Sequence, residues 1–145
     1  MIYLDTSVVA PFYWAEALSN QVEELLSHQT EPTVSQLVEV ELVSALSRRV
    51  RMAEISQTQA SAIAARFQAD LDNGFYIRLP LEPLHYTTAH NWISQFNTSL
   101  RTLDALHLAV AASNGISLIT ADAALAESAE TLGLQVQILR LFNEA

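Results

Sequence analysis

Apolar and polar positions along the chain switch between two periods, and the switches lay out its elements. Leu18, Val22, Leu25 and Leu26 recur at helical spacing, as do Ile63, Phe67 and Leu71, and then Ala89, Trp92, Ile93 and Phe96. The segment from about Gln36 to Arg51 has apolar residues on most faces, which predicts a largely buried helix. Short runs rich in branched and aromatic residues predict strands at Met1–Leu4, Thr33–Ser35, Phe75–Leu79, Ile116–Thr120 and Leu134–Leu139. Each of the last three runs directly follows a glycine: Gly74, Gly115 and Gly133. Glycine just past a helix end suits the left-handed cap. Helix, glycine, strand thus recurs three times. Such alternation favours an α/β fold, a parallel sheet with helices on both sides. In sheets of that kind, sites form outside the carboxyl ends of the strands.

Composition narrows the chemistry. A length of 145 residues suits one domain over 1–145, and 50% hydrophobic against 16% charged residues is enough for a core, which excludes disorder. No apolar run reaches a membrane-spanning length, so no membrane span is expected. Met1-Ile2-Tyr3-Leu4-Asp5 has no basic region, which argues against a cleaved secretory signal. The absence of cysteine excludes disulfides, a thiolate nucleophile and Cys-ligated zinc, and is compatible with a cytoplasmic location. Sixteen acids against seven bases give a formal charge of −9, and every base is an arginine. Without lysine there is no P-loop phosphate clamp, Schiff base or kinase-type ATP lysine. The charge also argues against a broad basic surface for nucleic acid. A polyanionic substrate would need something else to bring it in, and a bound divalent cation is the obvious candidate.

Four acids stand in suggestive places. Asp5 follows Ile2-Tyr3-Leu4 at the end of the first strand, a position that also suits a turn or N-cap. Asp122 stands just beyond Leu118-Ile119-Thr120, where it also suits an N-cap for a helix from Ala123. Asp104 falls among Leu103, Ala105 and Leu106 in the first turn of a helix capped by Thr102 or Ser99, at its positive end. Glu41 lies on the Gln36–Arg51 helix, roughly 200° around from Glu39 and two turns before Arg48, with which it could instead pair. Clustered carboxylates resist full ionisation unless a cation compensates. Hard oxygen ligands without Cys or a close His pair select Mg2+ or Mn2+ over zinc, and such a metal supports phosphoryl chemistry.

These residues resemble the PIN-domain ribonucleases, and within them the VapC-type toxins of bacterial toxin–antitoxin pairs. The matching blocks are Ile2-Tyr3-Leu4-Asp5-Thr6-Ser7, Glu41-Leu42-Val43-Ser44-Ala45-Leu46-Ser47-Arg48, Leu100-Arg101-Thr102-Leu103-Asp104-Ala105-Leu106-His107-Leu108-Ala109 and Leu118-Ile119-Thr120-Ala121-Asp122, with Leu132-Gly133-Leu134 following. They occur in the family's order over almost the whole chain. The resemblance implies a three-layer α/β/α sandwich with an acidic pocket for Mg2+ or Mn2+, in which a metal-activated water attacks an RNA phosphodiester in line. By position, Asp5 and Asp104 match the principal metal ligands. Glu41 matches a helix-borne acid that binds metal or positions water, and Asp122 the fourth acid. Thr6 and Ser7 match a hydroxyl-bearing turn that supports the first aspartate, and Thr120 a position beside the pocket.

Other residues divide between roles. His107 invites a reading as general base, but its apolar surroundings favour a packed, hydrogen-bonded core histidine. Arg48, Arg49 and Arg51 form the one concentrated basic patch, either a guide for RNA phosphate or a solvated helix C-terminus. Phe12, Tyr13, Trp14 and the Leu18/Val22/Leu25 stripe are core, a groove for an antitoxin helix, or a homodimer face. The resemblance implies a small antitoxin partner whose arginine or lysine approaches the acids. A haloacid dehalogenase-like phosphatase or a receiver domain would need a lysine that is missing, and the former an Asp where Ser7 stands. A PIN-like module that binds protein or RNA without cleaving is the alternative function.

Overall fold

The computed structural model describes residues 1–28 and 31–141. The first strand, β1 (Ile2–Leu4), leads into α1 (Thr6–Tyr13) and α2 (Ser19–His28), then β2 (Pro32–Ser35), α3 (Gln36–Arg51) and α4 (Gln57–Asp72). The second half runs β3 (Ile77–Leu79), α5 (Pro83–Ile93), α6 (Thr102–Ser113), β4 (Ser117–Thr120), α7 (Ala123–Thr131) and β5 (Val136–Ile138). The five strands pair in the order β3-β2-β1-β4-β5, all parallel. Each expected strand forms: the first loses Met1, the second gains Pro32, the third loses Phe75 and Tyr76, the fourth loses Ile116, and the fifth loses Leu134, Gln135 and Leu139. Gly74, Gly115 and Gly133 have φ of 75°, 66° and 73°, the left-handed conformation that ends a helix and turns the chain into the next strand.

Successive strand residues face opposite layers. Leu4, Val34 and Ile119 join one buried cluster with Val8, Val22, Leu42 and Phe67 from α1, α2, α3 and α4. Tyr3 and Leu118 join the other, with Ala89, Leu108 and Leu125 from α5, α6 and α7. Two cores on either side of one sheet make the three-layer α/β/α arrangement. Residues Ala105 to Ala111 of α6 are buried without interruption, because that helix lies under the centre of the sheet with α5 against its other side.

Three expectations are corrected. The helix over Gln36–Arg51 is not buried on most faces: only Val38, Leu42 and Leu46 are, one stripe at four-residue spacing. Val40 and Val43 point away from that stripe and are 66% and 46% exposed. Phe96 does not extend the α5 stripe. The helix ends at Ile93, and Phe96 sits in a turn with φ 55° and is 89% exposed. Helix α6 is capped by neither Thr102 nor Ser99; Arg101 is its N-cap and makes no side-chain capping bond.

Candidate active site

The sheet order reverses direction between β1 and β4, and the crevice at the carboxyl ends of those two strands is where such a fold binds ligands. Asp5 leaves β1 there. Its backbone N–H donates to Ile119 O at 3.3 Å, and its carbonyl accepts from Val8 and Val9, which starts α1. Asp5 occupies the N-cap position, yet its side chain caps nothing. Its two carboxylate oxygens instead accept from separate hydroxyls, Oδ1 from Ser7 Oγ and Oδ2 from Thr120 Oγ1, each at 2.5 Å. Those hydroxyls also accept backbone N–H groups: Ser7 Oγ from Ala121 at 2.9 Å and Thr120 Oγ1 from Asp122 at 3.0 Å. The turn after β4 is thereby tied to the turn after β1, with Asp5 buried between them.

Asp122 is the N-cap expected of it: Oδ1 accepts from Ala124 N and Leu125 N at 2.9 and 3.2 Å. It stands on the loop that Ser7 and Thr120 anchor, two residues beyond a hydroxyl that holds Asp5, and its charge acts on Asp104. Asp104 projects from the first turn of α6, half-buried.

Glu41 comes from the other side, one turn and a half into α3. Its alternative pairing with Arg48 does not form. Oε1 accepts from Thr6 Oγ1 at 2.8 Å and from His107 Nε2 at 2.5 Å. Thr6 therefore supports the glutamate, not the first aspartate as its match to the family implied, because the first turn of α1 points successive side chains in different directions. His107 is the packed, hydrogen-bonded core histidine expected from its apolar surroundings, 3% exposed, but one of its two partners belongs to the acidic site. The other is Tyr3: Nδ1 lies 2.6 Å from the Tyr3 hydroxyl, which is 2.7 Å from Ser35 Oγ. Tyr3 and Ser35 went unnoticed in the sequence. Nothing in the β1 pattern marks Tyr3 apart from an ordinary core residue, and its partners lie far away along the chain.

The electrostatics differ from acid to acid. Burial raises the Asp5 carboxyl above its ordinary value, against the hydroxyl bonds of Ser7 and Thr120 that pull the other way. Asp104 is also raised, first by burial and next by the negative charges of Asp122, Asp5 and Glu41, with His107 opposing. Burial pushes Glu41 up too, but His107 and Thr6 outweigh it and hold the carboxyl below its ordinary value. Asp104 thus feels all three of the other acids. Among the described residues, however, no three Asp, Glu or His side chains close on one point as a finished cation cage. The donor set is all oxygen, and its mutual repulsion is of the kind a hard divalent cation relieves.

A groove of about 660 Å3 adjoins the site, lined by Thr6 and Glu41 and by Arg48, Arg49 and Arg51. Of the four acids only Glu41 lines it. Arg49 lies over the Trp14 ring at 5.4 Å and pairs with Glu54 at 3.2 Å, while Arg51 donates to Ser47 at 2.7 Å. Tyr13 is core, and Phe12, Trp14, Leu18 and Leu25 pack partly buried against it. No described helix is long and apolar enough to cross a membrane.

Comparison with known proteins places this architecture. The family model for the PIN domain matches residues 2–130. The chain is 34% identical over 143 residues to Ribonuclease VapC35 of Mycobacterium tuberculosis, covering 94% of this chain and 95% of that one. The crystal structure of VapC20 from Mycobacterium tuberculosis, a sarcin-ricin loop cleaving toxin, superposes with a TM-score of 0.72 at 18% identity, over 97% of this chain and 100% of that one. DNA-bound VapBC from Salmonella typhimurium gives 0.67 at 12% identity, over 95% and 98%.

Proposed function

Since this chain belongs to the PIN-domain family, we propose that it is an endoribonuclease dependent on Mg2+ or Mn2+ and the toxin of a VapBC-type toxin–antitoxin pair. The observation that carries the reading is the Asp5 carboxylate, buried at the carboxyl end of the sheet with its two oxygens held by the Ser7 and Thr120 hydroxyls and the charges of Asp104, Asp122 and Glu41 around it. Carboxylates from distant parts of the chain that act on one another's charge, with no arginine paired to them among the described residues, suit a cation and a phosphodiester. The ribonuclease name of the 34% identical relative supports the same reaction class.

Asp5 and Asp104 would hold the cation, with Glu41 and Asp122 completing the set. When bound, the cation supplies Lewis acidity toward a phosphoryl oxygen and lowers the pKa of an attacking water. The chain's own residues do the remainder. Ser7 and Thr120 fix both oxygens of Asp5. Glu41, kept ionised by His107 and Thr6, is the acceptor suited to orient the water and take its proton. Arg48, Arg49 and Arg51 line the groove where phosphates of the strand pass, bringing the polyanion to a chain of net charge −9.

A small cognate antitoxin is the partner, offering an arginine or lysine to the acids, and the toxin itself acts as a homodimer in the cytoplasm. The deciding experiment incubates purified protein with transfer, ribosomal and messenger RNAs in Mn2+, with an EDTA control. Metal-dependent cleavage of at least one RNA, lost on Asp5→Asn, is the expected result. No cleavage of any, by a protein that still binds its antitoxin or RNA, would make it a silent binding module.

A further inference from the structure

Behind the Glu41 carboxylate stands a chain of buried groups, of which the proposed chemistry uses only the effect of His107 on charge. His107 lies in α6 and Tyr3 in β1, both essentially sealed from solvent, and Ser35 ends β2. Ser35 Oγ also accepts from Leu37 N at 3.3 Å, capping α3, the helix that carries Glu41. The chain Ser35–Tyr3–His107–Glu41 therefore starts and ends on neighbouring parts of the same α-helical arm and passes through the sheet and α6 in between. A carboxylate has no proton to give, so His107 Nε2–H is the donor to Oε1. The ring cannot tilt away, because Nδ1 is held at 2.6 Å by a tyrosine that is itself 0% exposed. The Tyr3 and His107 rings pack at a centroid distance of 5.7 Å. An apolar residue at either position would fill the space equally well. Two polar groups placed in line deep between the layers instead point to a demand for direction at Glu41.

We propose that His107, oriented by Tyr3, is a positioning residue that fixes the Glu41 carboxylate toward the reacting water. This assignment rests on the nuclease reading for its consequence in catalysis, but not for its geometry. His107 touches neither substrate nor cation; it acts through Glu41 alone. Glu41 is borne on a helix whose outer face is open to water, and its side chain is 28% exposed. Without the imidazole, only Thr6 would hold one oxygen, and the long side chain would sample other rotamers.

The test compares His107→Leu, His107→Gln and Tyr3→Phe with the unmodified protein. Glutamine can place its amide N–H near the position of Nε2, whereas leucine cannot donate. His107→Leu should lower kcat by about 10- to 100-fold, the range for losing an outer hydrogen-bond partner of a metal-site ligand, with KM for RNA little changed. His107→Gln should recover most of that loss, and Tyr3→Phe should fall between. A second readout is independent of cleavage: the side-chain carbon resonances of Glu41 should report one rotamer in the unmodified protein and averaging in His107→Leu. Full kcat in a folded His107→Leu protein would overturn the assignment. So would equal losses for Leu and Gln in proportion to lowered melting temperatures, the mark of a packing role only. Should the unmodified protein cleave no RNA, the nuclease reading falls, and the Glu41 rotamer measurement alone decides whether His107 positions it.

Discussion

Asp5 and Glu41 occupy two halves of one acidic site, and their carboxyl groups are held in opposite ways. In the β1/β4 half, Asp5 is buried among neutral hydroxyls, Ser7 and Thr120, and burial wins: its carboxyl is raised. In the α3/α6 half, Glu41 has an imidazole and a threonine on one oxygen, and these outweigh burial: its carboxyl is lowered. Hydroxyls orient a carboxylate without neutralising it, whereas an imidazole can share its charge. The first half is left short of positive charge, which suits a ligand for a cation. The second is ionised by its own surroundings, which suits a base. On the proposed reading, one site separates two roles among residues of the same chemistry by changing what stands behind them.

That contrast can be broken in several places. The largest effect belongs to Asp5→Asn, which keeps the shape of the first half and removes its charge; Mn2+-dependent RNA cleavage should fall by about 10²–10³-fold or more, with an unchanged circular dichroism spectrum. Undiminished cleavage would show that the first half is not the cation side. Next, combining Ser7→Ala with Thr120→Val strips both donors from a buried carboxylate. It should cost about 3 kcal/mol in urea unfolding at neutral pH, from two bonds to a charged group. Saturating the protein with Mn2+ at about 100 times Kd should add about 2.7 kcal/mol, seen as a raised melting temperature that Asp5→Asn abolishes.

Two smaller effects have opposite signs. The folded-state pKa of Glu41 lies below its unfolded value, so its stabilisation is present above that value and lost as pH falls through the folded one. Glu41→Gln should therefore cost about 1–2 kcal/mol at neutral pH and progressively less in acid. Asp104 is the reverse. Its folded pKa is raised, so its stabilisation is complete below the unfolded pKa and lost as pH rises through the folded one. Asp104→Asn should hence raise the metal-free melting temperature at neutral pH by roughly 2–4 °C, a figure kept small for a half-exposed group, with the gain vanishing in acid. Thermal scans of both variants across pH check the pair. Matching signs would erase the distinction between Glu41 and the carboxyls whose pKa is raised.

Much of this was legible in the residues because it is local. The glycines at 74, 115 and 133 announced helix ends that proved left-handed, and Asp5 and Asp122 were marked by the strands before them. The parallel order followed from alternation. What was not legible required angles or distant partners. Counting apolar residues in Gln36–Arg51 ignored which way each pointed, so the exposure of Val40 and Val43 came as a correction. The Phe96 stripe failed because a left-handed turn, invisible to periodicity, ended α5 first. Thr6 shares a turn with Ser7 yet serves the other half of the site, a one-residue difference in direction that spacing does not reveal. The His107–Glu41 bond joins elements on opposite layers, and no local pattern pairs them.

The reversal of strand order between β1 and β4 has a consequence for how such a molecule comes off the ribosome. β1 is made long before one of its two neighbours, Ser117–Thr120, which pairs with it from far along the chain. Until then Asp5 lacks Thr120, its loop lacks the anchor at Ala121, and Asp122 does not exist. Whatever the acids do, they can do only once Thr120 and Asp122 exist and β4 has docked beside β1.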